Sequence, residues 1–325
     1  MPICTVGFYL VPEFPMIAFA AAIEPLRIAN RLSGRTLYAW RLISRDGAPV
    51  TASNGIALPA DHGIADAARC DMVIVCAGLH ADTFRDRAVF AWLRRLARAG
   101  CRLGAISTGT YLLARSGLLD SRRCTIHWES VAALAEQFPL LSVTDDIFAV
   151  DGSIITCSGG TGSLDMMLHI VAERHDAVLV AGISDQLMHP RIRGQHDHQR
   201  RAMRVRLGMS HPRLAALVQA MEAAAEDKLD IGRLARSAGL SPRHAERLCE
   251  RHLGMTPARA YLEIRLRRGQ GLLRETGLSV LDVALACGFV SASHFSRCYR
   301  ACFGRSPRDE RRQAEIRPAA TIAAS

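Results

Sequence analysis

The second half of the chain contains an internal repeat, which restricts the possible fold more than any other feature of the sequence. Residues 234–241 and 283–290 have a similar pattern of apolar residues, with an alanine and a glycine in register, 49 positions apart. A further predicted helix follows each copy, over 242–252 and 291–302. A helix, a turn containing glycine and a second helix form the helix-turn-helix plan. The sequence therefore predicts two such units in an all-α domain, joined by a helix over 262–273.

Charge is divided unevenly between the two halves of the chain. Residues 1–185 carry a formal net charge of −2 and residues 186–325 carry +12, which together give the net charge of +10. An excess of basic over acidic residues favours contact with a polyanion. We therefore expect the first half to bind a small molecule and the second half to bind nucleic acid.

The first half alternates between short apolar runs and stretches with helical spacing. Such alternation is typical of an α/β domain in which parallel strands are covered by helices on both faces. Two apolar runs flank Asp151 and Gly152, a strong hairpin signal that predicts one antiparallel pair. The predicted strands are 3–10, 40–44, 72–76 and 103–106, with the hairpin over 148–156. The predicted helices are 16–32, 82–98, 109–116 and 161–173.

Three loops are expected to meet at one edge of this sheet, because ligands of open α/β sheets bind beyond the carboxyl ends of the strands. They are residues 11–15, 77–78 and 105–109. The third loop nearly matches the G-x-S-x-G elbow, in which a strand, a sharp turn and a helix present a serine. Ser107 would then lie exposed above a helix N-terminus, where backbone amides favour an anion.

Two interpretations of this elbow remain open on the residues alone. In the first, Ser107 is a nucleophile, His127 is its base and Glu129 is available to orient that base. In the second, Ser107 is a turn residue or a contact in a ligand pocket, and the domain has no catalytic residue.

Residues 104–128 resemble the class I glutamine amidotransferase-like superfamily of PfpI type, in the form that is fused to a DNA-binding domain. The resemblance implies a flavodoxin-like, mostly parallel α/β fold for the first domain. Enzymes of the superfamily typically carry cysteine at the elbow, and often an acidic residue four positions before the proline of the first helix. Here Ser107 occupies the first place and Ala21, counted back from Pro25, the second. Both departures favour a domain that binds without turnover.

The repeat, together with residues 286–307, resembles the AraC-type double helix-turn-helix domain over roughly 211–312. Such domains read bases from early, outward positions of the second helix in each unit. Arginine can pair there with guanine, glutamate can accept from cytosine and serine can do either. The implied base-reading positions are Arg243, Glu246, Arg247, Ala292, Ser293, Ser296 and Arg297. The implied partners are double-stranded operator DNA, RNA polymerase and a second copy of the chain, since paired half-sites are usually read by symmetric dimers.

Residues 24–30, 38–41 and 126–129 are similar to one subgroup of these fused regulators, whose known roles concern the catabolism of arginine, carnitine, glycine betaine and related amines. The resemblance implies an activator of a catabolic operon that responds to a small-molecule inducer of this kind. A quaternary ammonium group is bound by an aromatic face and a carboxylate, and the ligand's own carboxylate suits the amides behind the elbow. The predicted pocket has Trp128 and Glu129 at the cation, Ser107 and Thr108 at the anion, and His127 nearby.

Other functions stay open at this point. If the first domain only dimerises, the protein is a constitutive DNA binder. A separate alternative concerns Trp128, which can be a core tryptophan instead of a pocket residue. If Ser107 acts on an amide, the protein is both an amidase-like enzyme and a regulator.

The predicted domains are 1–188 for ligand sensing and dimerisation, 189–211 as a basic linker, 212–312 for DNA binding and 313–325 as a flexible tail. No apolar run is long enough for a membrane span, and the N-terminus lacks the pattern of a secretion signal. The ten cysteines are scattered without a C-x-x-C pair, which is typical of reduced thiols rather than of disulfides or a zinc site. We expect a cytoplasmic protein without a cofactor or a bound metal.

Overall fold

A computed structural model of the chain describes residues 2–195, 197, 199, 212–227 and 229–313. The chain forms two compact units, residues 1–199 and 200–325. The strands of the first unit are β1 (Cys4–Leu10), β2 (Tyr38–Ser44), β3 (Val50–Thr51), β4 (Ala57–Leu58), β5 (His62–Gly63), β6 (Met72–Ala77), β7 (Arg102–Ser107), β8 (Arg123–Thr125), β9 (Ser142–Thr144), β10 (Phe148–Asp151) and β11 (Ile154–Cys157).

The main sheet has seven strands in the order β10-β11-β7-β6-β1-β2-β5. Neighbouring strands are parallel except for β10 and β11, which form an antiparallel hairpin with Gly152 at φ +59° in its turn. The predicted parallel sheet and its hairpin are therefore confirmed. The strands β1, β6 and β7 are adjacent, so their carboxyl ends bring the three predicted loops to one edge of the sheet.

Helices pack on both faces of the sheet. They are α1 (Met16–Ser33), α2 (Arg87–Arg98), α3 (Thr110–Arg115), α4 (Val131–Gln137), α5 (Gly162–Ala172) and α6 (Ala177–Gln186). Successive residues of a strand point to opposite faces. Phe8 accordingly lies in the core that includes Leu26 and Met167, whereas Tyr9 lies in the other core, against Trp92. The central strand β6 is buried at every position, and it is accordingly apolar along its whole length.

The second helix begins later than the predicted start at residue 82. Asp86 caps it, because its side chain accepts hydrogen bonds from the amides of Ala88 and Val89 at 2.8 and 3.2 Å. A short 3-10 turn, Ala81–Thr83, precedes this cap. An aspartate at the N-cap accepts from amides that have no partner within the helix, so the helix begins directly after Asp86.

The first unit continues past the predicted boundary at 188. The structure groups residues up to Gln199 with it, and Gln199 donates its backbone N–H to the carbonyl of Asp145 at 3.0 Å. The beginning of the predicted linker is therefore part of the first unit. Residues 196, 198 and 200–211 of that linker, and the predicted tail from 314 onward, lie outside the described residues.

The described helices of the second unit are α7 (Pro212–Ala223), α8 (Ile231–Ser237), α9 (Pro242–Leu253), α10 (Pro257–Glu275), α11 (Val280–Ala286) and α12 (Ala292–Phe303), followed by helical residues 307–313. The pairs α8–α9 and α11–α12 are the two predicted helix-turn-helix units. Their turn glycines, Gly239 and Gly288, have φ values of +68° and +70°, which only glycine adopts without strain. The connecting helix α10 starts at Pro257, earlier than predicted, because Thr256 caps it through the amide of Arg259.

No helix within the described ranges combines the length and the apolar character that a membrane span requires.

Candidate DNA interface and candidate ligand site

The first recognition helix, α9, has one face in the core and one face in solvent. Ala245, Leu248 and Cys249 are buried, as their spacing predicts. The proposed base-reading residues of this helix are all exposed: Arg243, Glu246 and Arg247. Ser241 caps the helix by accepting from the amide of His244 at 3.3 Å, which fixes where the outward residues begin.

The second recognition helix, α12, repeats this arrangement. Phe295 and Tyr299 are fully buried, and Ser291 caps the helix through the amide of His294 at 3.3 Å. Ser293 and Arg297 are exposed, and the other two proposed contacts, Ala292 and Ser296, are half-buried. Helix α10 packs closely against α12 at Gly269, where a Cβ would lie 2.8 Å from the ring of Phe295.

Not every arginine of the second unit is available to DNA. Arg305 donates through Nε to the buried carboxylate of Glu310 at 2.9 Å. Arg268 pairs with Glu226 at 2.6 Å. These two side chains are therefore held by the unit itself. Arg297 has no ion-pair partner within the described residues, and it is exposed on the face of α12 opposite the buried one.

In the first unit, β7 ends in a sharp elbow at Ser107. This residue has φ +58°, a left-handed conformation that is uncommon for any residue with a Cβ. Contrary to the expectation of an exposed serine, Ser107 is only 7% exposed. The backbone at Gly159 covers it, since a Cβ at that glycine would lie 2.7 Å from the Ser107 Cβ. The glycine is required there, both by this contact and by its φ of +84°.

Thr108 is already engaged by the neighbouring loop. Its hydroxyl donates to the carbonyl of Gly78, and its amide donates to the carbonyl of Ala77 at 3.3 Å. The helix that follows, α3, has six residues, so it offers a weaker N-terminal field than a long helix. The structure therefore assigns Thr108 to holding the loop at 77–78 beside the elbow.

The loop after β8 carries the other predicted pocket residues to the same place. The amide of His127 donates to the carbonyl of Ser107 at 3.4 Å, which ties this loop to the elbow. Trp128 is 41% exposed, so the alternative of a core tryptophan is wrong. The rings of His127 and Trp128 lie 5.6 Å apart between centroids, and His127 Nδ1 lies 3.9 Å from Glu129 Oε2.

The protonation of His127 follows from its surroundings. Burial of the imidazole lowers its pKa below the ordinary value, against the opposing effect of the Glu129 carboxylate. The neutral ring therefore predominates at neutral pH. Within the described residues, no hydrogen bond joins the Ser107 hydroxyl to His127.

Sequence reasoning named the loops at 11–15 and 77–78 but missed two ionisable side chains near them. Glu13 and His80 both have positive φ, +62° and +63°, and His80 Nε2 lies 3.5 Å from Glu13 Oε2. The backbone of Gly78 packs on the carbonyl of Glu13, since a Cβ at the glycine would lie 2.3 Å from that oxygen. A polar residue next to a strand end was the available signal, but it does not by itself tell a pocket residue from a turn residue.

Comparison with known proteins agrees with both halves of the chain. Residues 18–173 match the DJ-1/PfpI family, and residues 234–313 match a family described as a helix-turn-helix domain. The chain is 44% identical over 307 residues to the HTH-type transcriptional regulator GbdR of Pseudomonas aeruginosa, covering 94% of this chain and 84% of that one. It is also 44% identical over 315 residues to the HTH-type transcriptional regulator CdhR of the same organism, covering 97% and 94%.

A solved structure agrees with the fold. The crystal structure of an AraC family transcriptional regulator from Pseudomonas putida covers 57% of this chain and 99% of its own, with a TM-score of 0.52 and 29% identity. The resemblances of the first domain to the PfpI-type superfamily and of the second to AraC-type domains are therefore confirmed, together with the order of an α/β domain followed by a helical domain.

Proposed function

The chain belongs to the family of HTH-type transcriptional regulators that join a DJ-1/PfpI domain to an AraC-type helix-turn-helix domain, and from this premise we propose its inducer and mode of action. The protein activates a catabolic operon when its first unit binds a small quaternary amine that also bears a carboxylate, such as glycine betaine or carnitine. It acts in the cytoplasm as a homodimer on paired half-sites and contacts RNA polymerase there.

The observation that carries this proposal is the exposed indole of Trp128 beside the elbow, with the Glu129 carboxylate next to it in the chain. A trimethylammonium group cannot donate a hydrogen bond, so it is recognised by an aromatic face and a nearby negative charge. The neutral imidazole of His127 adds no repelling charge to such a site. In this proposal the Ser107 hydroxyl donates a hydrogen bond to the carboxylate end of the ligand.

A thermal-shift screen of the full-length protein tests the inducer class. The panel contains glycine betaine, carnitine, choline, dimethylglycine and arginine. A ligand at 100 times its Kd adds about 2.7 kcal/mol to the free energy of unfolding, which raises the Tm by a few degrees. We expect the zwitterionic quaternary amines to raise it. A shift with arginine alone would contradict the proposed cation site.

We expect Trp128→Ala to lose the response to the inducer while it keeps operator binding. Loss of a desolvated cation–π contact costs about 2 kcal/mol, roughly thirty-fold in affinity. The readouts are the thermal shift with glycine betaine and the affinity for operator DNA. The matched control is Leu140→Ala, which removes another exposed apolar side chain of the same unit. Normal induction by the Trp128 variant would contradict the pocket.

We also propose that the first unit binds its ligand without chemical turnover. A serine at the elbow instead of cysteine supports this, as does the lack of a described hydrogen bond between the Ser107 hydroxyl and a base. We expect Ser107→Ala to weaken ligand binding only a few-fold, the effect of about 0.5–1.5 kcal/mol for one hydrogen bond. Neither the wild type nor the variant is expected to hydrolyse simple amides in a coupled ammonia assay. Hydrolysis that Ser107→Ala abolishes would show an enzyme.

A further inference from the structure

The last part of the first unit runs along its surface as a strap, defined here as the described residues of 189–199. The chain leaves α6 through a turn at Met188, which has φ +50°. The turn is closed by the amide of His189, which donates to the carbonyl of Ser184 at 2.9 Å. The strap precedes the second unit along the chain, so its attachment decides where the chain leaves the first unit.

A buried carboxylate holds the first half of the strap. Asp165 of α5 is 0% exposed, and its oxygens accept from the backbone N–H of Arg193 at 2.7 Å and from its Nε and Nη2 at 2.9 and 2.6 Å. His189 Nε2 lies 2.8 Å from the same carboxylate. Arg193 Nη2 also donates to Thr161 Oγ1 at 2.9 Å. A charged and fully buried acceptor with this set of donors makes a specific clamp rather than a loose surface contact.

The second half of the strap is paired with the backbone before β10. The amide of Ile147 donates to the carbonyl of Asp197 at 2.8 Å, and the amide of Gln199 donates to the carbonyl of Asp145 at 3.0 Å. The side chain of Gln199 reaches further, since Nε2 donates to Thr125 Oγ1 at 2.9 Å and to the carbonyl of Ile126 at 2.7 Å.

Both attachments of the strap are connected to the elbow at Ser107. One planar peptide group joins Ile126 and His127: its oxygen accepts from Gln199, and its N–H donates to the carbonyl of Ser107. A rotation of this peptide therefore disturbs the strap and the elbow together. At the other end, Thr161 and Asp165 belong to the segment that begins with Gly159, whose backbone covers Ser107.

We propose that the strap is the element through which ligand bound at the elbow controls operator binding. The inference rests on the proposed function, because it assigns the regulation of the same site. Ligand in contact with His127 and Trp128 fixes the 126–127 peptide and so stabilises the docked strap. When the strap is docked, residues 189–199 no longer add to the length of chain that joins the two units, which raises the effective concentration of the DNA-binding units at paired half-sites. An allosteric coupling of this kind typically changes affinity by about 5- to 150-fold.

The test uses the full-length variants Gln199→Ala and Asp165→Asn, with Arg191→Ala as the control. Arg191 lies on the strap, but its ion pair is with Asp197 of the strap itself, at 3.0 Å. Hydrogen exchange of the peptides spanning 189–199 measures docking. Fluorescence anisotropy with an operator duplex, selected from random sequence, measures DNA affinity with and without glycine betaine.

We expect both strap variants to exchange at least ten-fold faster over 189–199 and to bind the operator at least five-fold more weakly. They should keep the glycine betaine thermal shift, but the ligand should no longer change their DNA affinity. Unchanged exchange in both variants would overturn the clamp. Faster exchange with wild-type operator affinity and a wild-type ligand response would overturn the coupling role.

Two controls keep the outcome decisive. If Asp165→Asn fails to fold, Gln199→Ala decides alone, because its side chain is only partly buried and its backbone pairing remains. If glycine betaine does not bind the wild type, the proposed inducer fails, but the ligand-free operator affinities of the variants still support or overturn the strap.

Discussion

Replacing Arg297 with alanine is expected to weaken sequence-specific operator binding strongly while leaving the second unit folded. Arg297 is exposed on α12, and the packing of this helix depends on the buried rings of Phe295 and Tyr299, which the change does not touch. A bidentate contact from arginine to guanine contributes about 1–3 kcal/mol of discrimination. Its loss therefore lowers affinity for the operator roughly 5- to 150-fold, and affinity for unrelated DNA far less.

Footprinting and anisotropy on the selected operator and on a scrambled duplex measure this prediction. Arg300→Ala is the matched control, because Arg300 is exposed one turn later on the same helix. We expect Arg300 to contact a DNA phosphate. Loss of a phosphate contact weakens binding to all sequences about equally and reduces the salt dependence of binding. The assignment of Arg297 fails if its alanine variant gives a wild-type footprint or if both variants weaken the two duplexes by the same factor.

Glu310→Ala is expected to have the largest effect on stability. The carboxylate is 2% exposed and accepts from Arg274 Nε at 2.8 Å, Arg305 Nε at 2.9 Å, the Tyr299 hydroxyl at 2.9 Å and Gln270 Nε2 at 3.3 Å. It ties the helical residues 307–313 to α10 and α12. Arg274 and Arg305 are partly exposed and can be solvated, but loss of the carboxylate leaves the buried Tyr299 hydroxyl without its acceptor, which costs about 1–3 kcal/mol.

The same cluster sets the pH range over which the Glu310 carboxylate stabilises the folded second unit. Burial raises the pKa of Glu310, but the hydrogen bonds from Arg274, Tyr299 and Gln270 outweigh it and hold the pKa below the ordinary value. Because the folded-state pKa is depressed, the contribution is fully present above the unfolded pKa. It is lost as the pH falls through the folded pKa.

Urea unfolding of the full-length chain separates the two units. All three tryptophans, at 40, 92 and 128, lie in the first unit, so their fluorescence reports that unit alone. Far-UV circular dichroism at 222 nm reports the helices of both units. We expect Glu310→Ala to shift an early helical transition to lower urea without moving the fluorescence transition.

The control for this prediction is Glu226→Ala, which removes a mostly exposed carboxylate paired with Arg268. Exposed pairs contribute about 0–1 kcal/mol, so the control should unfold close to the wild type. Equal helical transitions for Glu310→Ala and the control would show that the buried cluster does not stabilise the unit.

The sequence alone was sufficient for the fold and for the class of protein. The repeat with its glycines predicts two helix-turn-helix units because glycine permits the left-handed turn, and Gly239 and Gly288 adopt it. Alternating apolar runs predict the parallel sheet, since strands buried on both faces are rich in apolar residues along most of their length. These features are local, so they can be recognised in short windows of the chain.

Tertiary structure alone decided the surroundings of the individual side chains. It showed that Trp128 is exposed, that Ser107 lies beneath Gly159, and that Asp165 holds a segment predicted to be linker. Each of these facts depends on residues that are distant along the chain and are brought together only by the packing of the sheet and its helices. Periodicity records the conformation of neighbouring residues, but it carries no information on which distant residue will cover a given side chain.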